Sequence, residues 1–108
     1  MNIRRTPFIV DSYAFATGGV DDILQLDFVE DRAQGLGVPA KSMVIRNAGA
    51  GTIYFIFSED GEHWSGIGSL AAGALEGYNY EDGIEITLMH VWASAAGTTV
   101  TIRATPGM

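Results

Sequence analysis

Ile84-Glu85-Ile86-Thr87-Leu88-Met89-His90-Val91-Trp92-Ala93, then Ser94-Ala95-Ala96-Gly97-Thr98, then Thr99-Val100-Thr101-Ile102-Arg103-Ala104-Thr105 is the stretch whose reading decides the fold. Strand side chains alternate sides, so Ile84, Ile86, Leu88 and Trp92 share one face, and Val100, Ile102 and Ala104 share one face on the return. Pairing Ser94 with Thr98 makes a β-hairpin that sets Trp92 opposite Val100, His90 opposite Ile102 and Leu88 opposite Ala104. A slip by one residue would turn those faces outward. The stretch therefore predicts an all-β scaffold.

Working outward, Ser42–Asn47 and Thr52–Ser58 read as a second hairpin around Ala48-Gly49-Ala50-Gly51. Its register sets Met43 against Phe57 and Ile45 against Phe55. The other face then pairs Val44 with Ile56, and Arg46 with Tyr54, whose ring can carry the guanidinium. Both faces are substantially apolar, which predicts a covered position. Phe8–Thr17 reads as a first strand broken at Gly18-Gly19. Asp22–Asp31 reads as a second, with Leu24, Leu26 and Phe28 on one face. Ala33–Lys41 reads as a loop and Ser58–Glu62 as a turn. His63–Leu70 predicts a short strand with Trp64 and Ile67 inward, and Ala71–Gly83 an irregular connection carrying Tyr78 and Tyr80. The expectation is a two-layer antiparallel β-sandwich of about six to eight short strands, with residues 1–7 as an N-terminal arm and 8–108 as a single domain.

The 108 residues are enough for one core, and 47% apolar content with 14 glycines suits a compact, turn-rich fold. A net charge of -7 and a pI near 4.5 argue against nucleic acid as a partner. The absence of cysteine excludes disulfides, thiolate metal sites and a cysteine nucleophile. The run Phe8-Ile9-Val10 after Arg4 and Arg5 stops at Asp11, too short for a signal peptide, and nothing approaches membrane-spanning length.

The chemistry-bearing residues read mostly as structure. Glu59, Asp60, Glu62 and His63 flank Gly61 without the spacing of a calcium loop, so they read as a solvated turn with no metal. His90 reads as a largely buried inward histidine with one hydrogen bond, or one reached by a subunit contact, ahead of a pH switch or base. No Gly-x-Ser-x-Gly elbow, triad or P-loop is present, so no catalytic residue, cofactor or enzyme activity is expected. Gly49, Gly51 and Gly97 read as hairpin-corner glycines with positive φ. Trp64, Tyr78, Tyr80 and Trp92 are the residues a sugar-binding platform would use.

Ser42–Gly49, Ile53–Gly61 with Trp64, Ile86-Thr87-Leu88 and Ala93–Ile102 together resemble small β-sandwich proteins of tailed bacteriophage virions, over about residues 42 to 105. The resemblance implies a structural virion part made in the host cytoplasm. A capsid decoration (cement) protein is favoured, bridging neighbouring major capsid subunits at the capsid surface. A tail, baseplate or head-to-tail connector component is the alternative within the virion, and a carbohydrate-binding module the alternative outside it. The implied partners are the major capsid protein or other virion proteins, and further copies of the chain, a trimer foremost. The interface residues expected on this reading are Arg4, Arg5, Phe8, Val44, Arg46, Tyr54 and Ile56.

Overall fold

A computed structural model describes residues 8–31, 35–78 and 85–106. They form eight strands and no helix: β1 (Phe8–Ala14), β2 (Gly19–Asp27), β3 (Ser42–Asn47), β4 (Ile53–Ser58), β5 (Gly68–Leu70), β6 (Leu75–Tyr78), β7 (Leu88–Ala93) and β8 (Thr99–Thr105). One antiparallel sheet has the order β1-β8-β3-β6 and the other β2-β7-β4-β5. The two pack face to face as a β-sandwich around one core. The expected arm, residues 1–7, lies outside the described residues, as do Ile84, Tyr80 and most of the predicted connection after Tyr78.

The first sheet supplies Phe8, Met43, Ile45, Val100, Ile102 and Ala104 to the core. The second supplies Leu26, Ile53, Phe55, Leu70, Met89, Val91 and Ala93. Phe28, just past β2, is buried and stands edge-on to Phe8 with ring centroids 4.9 Å apart. Leu24, Leu26 and Phe28 thus face inward as the alternation predicts.

Neither predicted hairpin forms. β7 pairs with β2 and β4, while β8 pairs with β1 and β3 in the other sheet. β3 and β4 likewise belong to different sheets. Only β4 to β5 stays within one sheet; every other connection between consecutive strands crosses the core. Trp92 is therefore opposite Tyr54 instead of Val100, and His90 lies between Gln25 and Ile56 instead of facing Ile102. Leu88 pairs with Asp27 and Ser58, not Ala104. The facing of β8 is as predicted, and that of β7 is reversed. The cause is Thr87, a bend whose N–H donates to Ser58 O (2.9 Å) and whose hydroxyl donates to Glu59 O (2.8 Å). The bend shifts the alternation, so Ile86 and Met89, three apart, are both buried.

Other expectations also change. Ile67 is 68% exposed and Trp64 36%, so neither points inward, and the strand there is only Gly68–Leu70. Part of the predicted irregular connection is β6, paired with β3. Its Tyr78 packs edge-on to Phe57, at 5.5 Å between centroids.

The crossings are held together at one end of the sandwich. Asn47 is fully buried at the end of β3. Its Nδ2 donates to Gly51 O (2.7 Å) and Leu70 O (3.0 Å), and its Oδ1 accepts from Gly49 N–H (3.0 Å). Buried Thr98 accepts from Gly51 N–H at its hydroxyl (3.2 Å) and from Phe15 N–H at its carbonyl (3.0 Å). Thr52 exchanges bonds with Ser94 through both backbone and hydroxyl. A Cβ on Gly49 would collide with the backbone of Thr98 and Thr99, and one on Gly51 with the Thr98 hydroxyl. These two glycines permit close approach of the two corners; Gly97 alone of the three has the expected positive φ, 82°.

Removing one partner from a buried hydrogen-bonded group costs about 1–3 kcal/mol per orphaned atom. Asn47→Ala orphans several groups at once and should lower stability by about 2–4 kcal/mol. Asn47→Asp, which keeps the acceptor but loses both donors, should be no better. Urea denaturation with an unchanged m-value measures both.

Candidate functional site

The outer face of the second sheet carries a collection of aromatic and apolar side chains that the core does not absorb. Alternation puts Tyr54 and Ile56 of β4, and His90 and Trp92 of β7, on this face, because Ile53, Phe55, Met89, Val91 and Ala93 take the inner one. Tyr54 and Trp92 are directly paired and their rings stack, with centroids 6.0 Å apart and planes 26° from parallel. Ile56 is the direct neighbour of His90. Trp64 lies 4.5 Å from the His90 ring between centroids. Exposed Ile67 precedes the edge strand β5.

Trp64 is held by local chemistry. It forms an isolated bridge with Ser58. The next residue, Ser65, donates its N–H to Phe57 O (2.8 Å) and accepts from Phe57 N–H at its hydroxyl (2.9 Å). The turn before it is organised by Asp60. One carboxylate oxygen accepts from Glu62 and His63 N–H, both at 2.8 Å, and the other lies 2.7 Å from His63 Nδ1. Ser58 Oγ accepts from Gly61 N–H at 2.7 Å, and Gly61 sits at φ 84°. The predicted turn is therefore present as an Asp-centred hydrogen-bonded loop.

Beside this turn the end of the sandwich opens into a cleft of about 410 Å³. Phe57, Trp64 and Ile86 supply its apolar lining, and Glu59, Asp60, His63, Ser65 and Glu85 its polar lining. The hydroxyls of Ser58 and Ser65 are both engaged in local bonds, the latter donating to Gly66 O at 3.0 Å. Among the described residues no three His, Cys, Asp or Glu side chains stand together as a metal site. The arrangement can stack flat or aliphatic groups and attract cations.

The expected interface residues do not converge. Phe8 is buried against Phe28. Val44, 41% exposed, lies on the outer face of the first sheet between Gly77 and Arg103, and Arg46 lies there between Leu75 and Thr101. Tyr54 and Ile56 are on the opposite side of the molecule, so Arg46 does not stack on Tyr54. Arg4 and Arg5 fall outside the described residues. The sequence reading named Trp64 and Trp92 for a sugar-binding platform but turned both, with His90, inward, and so missed their outward grouping with Tyr54 and Ile56. The signal was His90, the one strongly polar residue in an otherwise apolar strand, which marks the outward side. Asp22 accepts from Tyr13 OH (3.0 Å) and Ala16 N–H (2.7 Å). That bond is the main reason the Tyr13 phenol is pushed up; the Tyr78 phenol is pushed up to about 12, mainly by burial.

No protein-family model matches this chain, and no curated protein matches it. No helix among the described residues is long and apolar enough to cross a membrane.

The Asp60–His63 contact has a pH signature. Hydrogen bonds from His63 hold the Asp60 carboxyl well below the usual carboxylate range, and the Asp60 side chain holds His63 above its ordinary 6.5. A raised histidine contributes fully below its ordinary value and loses that contribution as pH rises through its folded value. A depressed carboxylate contributes above its ordinary value and loses it as pH falls through the folded one. The pair is therefore intact from ordinary carboxylate values up to the raised folded value of His63. An NMR titration should give His63 a midpoint above 6.5 that Asp60→Asn returns towards 6.5.

Proposed function

We propose that this chain is a structural protein of a tailed-bacteriophage virion, a capsid decoration protein that bridges neighbouring major capsid subunits. The single observation that carries the reading is the outer face of the second sheet, where Tyr54, Ile56, His90, Trp92 and Trp64 form one continuous surface. Aromatic residues in such a cluster are typical anchors of protein interfaces. The resemblance of residues 42–105 to small virion sandwiches supports the same reading.

The mechanism is mechanical. Each copy docks its aromatic face on the shell, and copies associated with one another, as a trimer, engage several capsid subunits together. Linked contacts of modest strength then resist rupture by avidity. A tail, baseplate or connector part would use the same face on a different partner. A carbohydrate-binding reading is favoured by one observation, Trp64 at the rim of a cleft lined by Glu59, Ser65 and Glu85. A glycan array on which the chain gives hits that Trp64→Ala abolishes would establish it.

Mass spectrometry of purified virions should find the chain, and immunogold should label heads. Gold confined to tails would move it to the tail, and absence from particles would reject the proposal. Ile56→Asp combined with Trp92→Ala should cost about 2–4 kcal/mol of docking, read as a loss of head occupancy of roughly thirtyfold or more. The folded state of the variant is checked by its thermal melt.

A further inference from the structure

Thr87 brings two carboxylates to the cleft beside Trp64. Its N–H donates to Ser58 O (2.9 Å) and its hydroxyl to Glu59 O (2.8 Å), so the segment carrying Glu85 and Ile86 is fastened beside the end of β4. The Ser58–Trp64 bridge and the two Phe57–Ser65 bonds bring Trp64 back to the same strand end. Glu59, Glu85, Trp64 and Ile86 therefore line one cleft although they come from separate segments. The bonds that shape it run to backbone groups of Phe57, Ser58 and Glu59, and none uses the Glu59, Glu85 or Trp64 side chain. The shape thus exists before anything binds. Its volume of about 410 Å³ is more than a lone metal ion needs and falls within the roughly 300–1,000 Å³ of small-ligand pockets.

The uncommitted oxygens of the lining select the ligand. Asp60 and His63 hold each other, and the Ser65 hydroxyl donates to Gly66 O and accepts from Phe57 N–H. Among the described residues no cation or donor engages the side chain of Glu59 or Glu85, and both residues are exposed. Carboxylates accept hydrogen bonds and donate none, so they repel anions and favour a positively charged ligand rich in donors. Trp64 and Ile86 add a flat ring and an aliphatic wall for an apolar stem. A guanidinium on its methylene stem combines charge, a planar fork of donors and a face that stacks on an indole, whereas an ammonium is a point charge. Trp64 also joins the aromatic outer face through His90, at 4.5 Å between centroids, so a protein lying on that face reaches the cleft. We propose that the cleft seats an arginine side chain presented by a partner polypeptide, with the guanidinium on Glu59 and Glu85 and the stem on Trp64. The seat rests on the aromatic face being a docking surface and not on the partner being a capsid subunit.

Trp64 is the reporter, and Trp92→Phe leaves it as the single tryptophan of the chain. In that background, at fixed ionic strength, N-acetyl-arginine methylamide should change Trp64 fluorescence saturably and shift the amide NMR signals of Ser65 and Ile86. The citrulline analogue keeps the shape and loses the charge, and should bind about tenfold more weakly. Glu59→Gln with Glu85→Gln should weaken arginine binding by a similar factor. Both glutamates are exposed and Thr87 bonds only the Glu59 backbone, so the thermal melt of that variant should not move. No saturable response to the arginine probe, equal binding of citrulline, or binding that survives the double glutamine variant would overturn the proposal. Propylguanidinium has the same head without a peptide backbone; if it binds about tenfold tighter than the blocked arginine, the cleft belongs to a free small cation and the partner reading fails. A glycan-array hit abolished by Trp64→Ala would give the cleft to a sugar and overturn it as well.

Discussion

The crossing of two inter-sheet corners at Asn47 and Thr98 is the constraint on which the architecture depends. The corner after β3 and the corner after β7 run in contact, close enough that Gly49 cannot carry a side chain. A buried amide and a buried hydroxyl satisfy backbone groups that neither sheet can pair. In water such groups would be solvated; here water is excluded, and each must find a protein partner or cost its full desolvation. The bonds from Asn47 to Leu70 O and from Gly73 N–H to Asn47 O extend the same knot to the β5–β6 crossing. Phe15, at the β1–β2 crossing, joins through Thr98 and Gly97. Four crossings therefore share one hydrogen-bonded end.

That knot decides which surfaces exist. A hairpin would put both strands in one sheet and place their second faces side by side. An arch puts the strands on opposite sides of the core and separates those second faces by the whole thickness of the sandwich. Val44 and Arg46 consequently sit on one outer surface, and Tyr54 and Ile56 on the other. Charge is unequal across the same line. The strands of the first sheet carry Arg46 and Arg103 against Asp11 and Glu76, whereas Asp21, Asp22, Asp27, Glu59, Asp60, Glu62 and Glu85 lie on the second sheet or its turns. Carboxylates thus lie on the strand beside the aromatic face and on the turns at its end, and their field is negative there.

Strand periodicity made the class and most of the core legible. Leu24-x-Leu26-x-Phe28, Met43-x-Ile45, Ile53-x-Phe55 and Val100-x-Ile102-x-Ala104 all face inward as alternation requires. Pairing was not legible, because alternation states which side a residue faces and not which strand lies beside it. A short glycine-bearing loop serves a hairpin or an arch equally well. The discriminating detail was the loop's own chemistry: Ala48-Gly49-Ala50-Gly51 lacks the Asn-Gly or Asp-Gly centre of a tight hairpin. The facing of β7 failed for another reason. Carrying the parity of Ile86 through to Trp92 assumes an unbroken strand, and the bend at Thr87 depends on bonds to Ser58 and Glu59 almost thirty residues away. The same long-range bend turns Trp92 and His90 outward.

The two ends of the sandwich differ in how their polar groups are used. At the knotted end the backbone is cross-braced and its polar side chains are spent on internal bonds. At the other end the Asp60 turn, the Trp64 bridge and the cleft leave polar and aromatic groups directed outward. The aromatic face spans the sheet between them on β4 and β7, the two inner strands of their sheet. Inner strands are hydrogen-bonded on both sides, so the side chains they present are held in register without a partner. A surface pre-organised in this way loses little conformational entropy on binding, and a larger share of its contact energy appears as affinity.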